Sequence, residues 1–120
     1  MNMNLIVISG YLGMVVAVVH GYLGETKVVR QVDGIPLASK RVLQAIMFLS
    51  AVYWFAGGLV LAGSPLYLTS GGQRLAALIV GAMFLSGAIG NFWAMRGRHI
   101  GWVLLMCATA LAWLGAWFIQ

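Results

Sequence analysis

Four stretches of the chain stay apolar for about the length of a membrane helix, and short polar segments separate them. The first runs from Leu5 to Leu23 with no charged side chain and with His20 as its one histidine. At about 1.5 Å per residue it reaches roughly 28 Å, close to the hydrocarbon thickness of a bilayer. The second stretch is Val42 to Gly63, the third Leu75 to Met95 and the fourth Ile100 to Ile119. Each is long enough to be read as a span without the others. The pattern predicts an all-α protein: an integral membrane four-helix bundle, up-down-up-down, forming a single transmembrane domain over residues 1–120. The apolar run near the start has no basic residue ahead of it and no A-x-A site behind it, so it reads as a retained span.

The connections are uneven. Gly24 to Arg41 carries six of the nine charged side chains. Its first half can prolong the first helix, because Val28, Val29 and Val32 share a face at helical spacing. Asp33-Gly34 and Ile35-Pro36 then predict a turn, and Ser39 is the expected N-cap of the second helix. In the second connection Pro65 and the Gly71-Gly72 pair predict that helix 2 stops near Gly63 and that helix 3 starts near Leu75. Arg96-Gly97-Arg98 forces the last two helices into an antiparallel hairpin.

Composition agrees with lipid as solvent, at 62% hydrophobic and 8% charged residues and a mean hydropathy of +0.98. The net charge of +5 does not point to nucleic acid, because the basic residues flank the spans, where they meet anionic head groups and set orientation. Lys27, Arg30, Lys40, Arg41, Arg96 and Arg98 fall on one side, and Arg74 alone falls on the other. The excess assigns the first and third connections to the cytoplasm and both termini to the periplasmic side of the inner membrane. The one cysteine, Cys107, reads as a small core residue.

Lipid tails are as apolar as leucine, so the helices must associate through close packing and interhelical hydrogen bonds. Small residues recur at four-residue spacing in helix 1 (Gly13, Ala17, Gly21), helix 3 (Ala82, Ser86, Gly90) and helix 4 (Ala108, Ala112, Ala116). They are expected on the inside of the bundle, the alternatives being a dimerisation face or a substrate path.

No carboxylate, lysine or arginine lies deep in a span, which weakens a proton-coupled transport reading. The polar groups gather instead at the inferred cytoplasmic boundary: His20 and Glu25 after helix 1, Arg41 and Gln44 at the start of helix 2, Asn91 in helix 3 and His99 before helix 4. His20 and Glu25 point about 140° apart on a regular helix, so Glu25 is expected to pair with a basic residue of another helix, Arg41 or the Arg96/Arg98 hairpin. His20 and Asn91 are expected to bond across helices. His20 and His99 are also the one pair that could ligate a haem axially. No protease, phosphate-loop, nucleotide or metal motif is present, and no catalytic residue, metal site or cofactor is predicted.

His20-Gly21-Tyr22-Leu23-Gly24-Glu25 resembles a His-x-x-Leu-Gly-Glu element that follows the first span in a group of small, uncharacterised bacterial four-span membrane proteins. The resemblance implies a bacterial inner-membrane location and no particular activity. The expected function is a non-enzymatic membrane component acting through its helix surfaces, as an accessory subunit or packed against itself. The alternatives are a small oligomeric transporter or channel built on the polar cluster, and a haem-binding electron carrier. The expected partners are the lipid bilayer and other membrane subunits or a second copy.

Overall fold

The computed structural model describes residues 3–119, and among them it is all-helical. Helix α1 covers Met3–Leu23 and continues without a break into a π-helical turn, Gly24–Val29. Helix α2 is Leu37–Tyr67, α3 is Ser70–Met95 and α4 is Gly101–Phe118. All four are long and apolar enough to cross a membrane. Successive helices run antiparallel: Gly10 of α1 meets Gly58 of α2, Gly57 of α2 meets Val80 of α3, and Gly81 of α3 meets Trp113 of α4. Helix α1 closes the ring against α4. The bundle measures 54 × 26 × 17 Å.

Helices α2 and α3 are longer than the sequence pattern predicts, and local chemistry explains both differences, whereas α4 is slightly shorter than the expected Ile100–Ile119. Helix α2 begins right after Pro36, whose fixed φ suits a helix start. Ser39 therefore lies inside the first turn and does not cap it. At the other end α2 runs through Pro65. Proline has no N–H for the carbonyl four residues earlier, that of Leu61. The Ser64 hydroxyl donates to that carbonyl at 2.9 Å and replaces the missing amide. Helix α3 starts at Ser70 because Thr69 caps it, its Oγ1 accepting from the Gly72 N–H. Gly71 and Gly72 are thus helical. Helix α3 ends on Arg96 in the left-handed conformation (φ 49°), followed by Gly97 at φ 73°. The Trp102 indole donates to the Gly97 carbonyl at 3.2 Å and locks the hairpin.

The core is narrow. Ile6, Val16 and Ala17 of α1, Trp54 and Leu61 of α2, Ala77, Val80, Phe84 and Ala88 of α3, and Leu105, Ala108, Ala112 and Ala116 of α4 form one buried cluster. Large apolar side chains cover the outside instead, among them Val18, Phe48, Phe55, Ile79, Ile89 and Trp117. Among the described residues three hydroxyls are buried, and each donates to a backbone carbonyl: Ser64 as above, Ser9 to Ala108 of α4 at 2.7 Å, and Thr109 to Leu105 at 2.9 Å, with the Gly81 carbonyl of α3 sharing the same proton at 3.2 Å. Ser9→Ala is expected to lower stability by about 0.6 kcal/mol, the mean for such bonds between membrane helices, read as a small shift of thermal unfolding in mild detergent.

Two of the three small-residue stripes point inward. Gly13 and Ala17 are buried, with the Phe84 ring over Gly13, and Gly21 is half-buried opposite Ala51. Ala108, Ala112 and Ala116 line the α4 core face. The third stripe is a correction. Ala82, Ser86 and Gly90 are all exposed, and a Cβ on Gly90 would meet nothing within 4 Å. The inner face of α3 is the row Ala77, Val80, Gly81, Phe84 and Ala88, offset from that stripe. Cys107 likewise faces outward on α4 and is not a core residue.

Candidate functional site

The six polar residues grouped by the sequence do not form one site. They divide between two faces of α1. Residues Ala17, Gly21 and Glu25 border a groove of about 810 Å³ between α1 and α2, with Arg41 and Gln44 at its polar end. Residues Val16, Val19 and His20 border a second, smaller crevice of about 110 Å³, shared with Trp54, Asn91 and His99.

The His-x-x-Leu-Gly-Glu element lies where the helix changes pitch. His20 to Leu23 are α-helical, whereas Gly24 and Glu25 open the π turn. The Met47 side chain occupies the space a Cβ on Gly24 would need, so glycine brings α2 close there. In the wider turn the Arg30 amide bonds the Glu25 carbonyl at 3.1 Å, five residues back. That spacing also places Arg30 Nε 3.6 Å from Glu25 Oε1, while the Gln44 amide donates to Oε2 at 3.1 Å. Glu25 is therefore paired within its own helical segment and bridged to α2 by a neutral amide. Neither Arg41 nor the Arg96/Arg98 hairpin is its partner. Both side chains of the ion pair are substantially exposed, so it contributes little to stability. Arg41 lines the same groove with no ion pair among the described residues.

In the crevice, His20 bonds across to α2, its Nε2 3.1 Å from Ser50 Oγ. The Ser50 hydroxyl spends its single proton on the Met47 carbonyl at 2.9 Å. With that proton so placed, the hydroxyl accepts from the Nε2–H tautomer of the imidazole. The His20 ring also leans on the Trp54 indole, with centroids 4.5 Å apart. Asn91 bonds its own helix, donating to the Gly87 carbonyl at 3.0 Å, and not across helices as the sequence suggests. His99 Nδ1 accepts from the Gly101 N–H at 3.0 Å and so ties down the start of α4.

This crevice has room for a few waters. A porphyrin held between His20 and His99 would have to part α1 from α4. Among the described residues no group of three or more His, Cys, Asp or Glu could hold a metal ion. Sequence reasoning missed Ser50, a lone serine in an apolar span, and it missed Arg30 as the partner of Glu25, because residues five apart share a face only in a π turn. Comparison of the chain with protein-family models, curated proteins and solved structures finds no match.

Proposed function

We propose that the chain is a multi-pass inner-membrane protein, with both termini on the periplasmic side, that acts without catalysis through its outer helix faces. It serves as a small accessory subunit or as a self-associating bundle. One observation carries this reading: the core is closely packed and its polar groups are satisfied. No buried side-chain nitrogen or oxygen among the described residues lacks a hydrogen-bond partner, and the core is built of small and aliphatic groups. Such an interior leaves little for a substrate to bind within one chain. The outer faces offer more. The Ala82, Ser86 and Gly90 stripe of α3 is uncovered, and small residues at this spacing let a second helix approach closely in lipid. The excess of basic residues at the π-turn end supports the assigned orientation.

Purification from the native membrane in mild detergent tests this, with particle mass measured for the unaltered chain and for Gly90→Leu. The unaltered chain is expected to run with a partner or as an oligomer. Gly90→Leu is expected to lose that assembly without loss of thermal stability, since the leucine enters open space. A lone, monodisperse chain in the native extract refutes the proposal.

A small oligomeric transporter or channel is the second reading. It is favoured by the convergence of His20, Asn91 and His99 from three elements on one crevice at one end of the bundle. A homo-oligomer with no second protein, whose solute flux in vesicles changes in His20→Ala, would select it.

A further inference from the structure

We propose that the groove between α1 and α2 is a binding site for one anionic phospholipid, with an acyl chain along its apolar lining and the headgroup phosphate against Arg41. The inference rests on the membrane insertion proposed above and goes beyond the association of helices. Three features of the groove argue for it. Its lining is apolar away from the Arg41 end, and small residues, Gly21, Ala45, Ala51 and Ala56, stand among larger ones such as Phe48 and Phe55. It follows α2 from Arg41 to Leu59, roughly 27 Å at the helical rise, enough for a headgroup and a chain running into one leaflet. Its polar end carries an uncompensated cation. Arg30 offsets the Glu25 charge, and Gln44 caps the other carboxylate oxygen, so the Arg41 guanidinium is left to a ligand.

The surroundings reinforce the sign. Lys27, Arg30, Lys40 and Arg41 outnumber Glu25 and Asp33 in the segment that leads into the groove. Lys40 is engaged with the Val32 carbonyl at 3.3 Å, which leaves Arg41 as the group that faces the groove. A phosphate monoanion matches the planar donor fork of arginine and can be held by two parallel bonds. An apolar partner helix in the same place would bury that guanidinium without an acceptor. The phospholipid supplies both the acceptor and the flexible chain.

Native mass spectrometry of the full chain, delipidated in mild detergent and offered phosphatidylglycerol or phosphatidylcholine with identical acyl chains, tests the site. One phosphatidylglycerol is expected to be retained per chain, about fivefold more readily than phosphatidylcholine, the factor equivalent to ~1 kcal/mol for one basic residue at a membrane surface. Arg41→Gln, an exposed position, should erase the preference but not the residual retention of both lipids. Ala56→Phe, which adds a ring to the lining, should remove retention of both. A preference that survives Arg41→Gln overturns the proposal, as does lipid that stays bound to Ala56→Phe. A lipid-free dimer that Ala56→Phe dissociates overturns it as well, by giving the groove to a second copy. Failure of the unaltered chain and both variants alike to enter bilayer nanodiscs overturns the membrane reading itself and is distinct from these results.

Discussion

Gly58→Leu is expected to destabilise the bundle by about 3 kcal/mol, the upper end of the range for overpacking. A Cβ on Gly58 would lie 2.5 Å from the Gly10 carbonyl oxygen and 2.9 Å from the Met14 nitrogen. A Cβ on Gly10 would lie 2.5 Å from the Gly58 oxygen and 2.6 Å from the Ala62 nitrogen. The obstacles are main-chain atoms on both sides, so no rotamer change relieves the clash and the two helices must separate. In the membrane setting proposed above, lipid would supply no hydrophobic force to hold them together once they have separated. Thermal unfolding of purified protein in mild detergent measures the effect, with Gly90→Leu as the matched control at an open position. Equal unfolding temperatures for the two variants would show that α1 and α2 do not touch at Gly10 and Gly58.

Phe84→Ala comes second in size. The Phe84 ring is fully buried, and it covers Gly13 across the middle of the bundle. Removing it from a water-soluble core costs about 3–5 kcal/mol. In a membrane the unfolded side chain is already out of water, so the cavity contribution dominates, about 2 kcal/mol for a void on the order of 100 Å³. Gly13→Leu alone should be destabilising too, because the added side chain meets the ring. Combined in one chain, the two changes are expected to recover at least half of the summed loss, since the leucine then fills the space the ring vacates. Strict additivity in this double-mutant cycle would place Phe84 away from Gly13.

The residue types of the candidate site and their end of the bundle were legible: His20, Glu25, Arg41, Asn91 and His99 interrupt or border apolar runs, and such residues stand out in any hydropathy pattern. Their grouping was not. Glu25 was expected to reach Arg41 or the third connection, whereas a π turn of six residues brings Arg30 beneath it and turns its carboxylate to Gln44. A period of 3.6 residues mispredicts the facing relationships within Gly24–Val29, where the turn is wider. Helix α2 was ended early at Gly63 for a comparable reason, because a proline rule is local and the Ser64 hydroxyl that repairs the backbone bond is a particular of this chain.

The sequence by itself determined the number of helices and their order, since those follow from where apolar runs of spanning length lie between charge and turn residues; the ends of α2 and α3 lie outside the limits it set. It also determined that close packing of small residues would hold the helices together. Only the tertiary structure decided which small residues face inward. Gly13 and Ala17 of α1 and Ala108, Ala112 and Ala116 of α4 are buried, while Ala82, Ser86 and Gly90, with the same spacing, look outward. In a chain whose inner and outer faces are both apolar, hydropathy carries no signal that distinguishes them. That choice rests on shape, on where a ring such as Phe84 or Trp54 finds a missing side chain opposite it, and shape exists only once the helices are assembled.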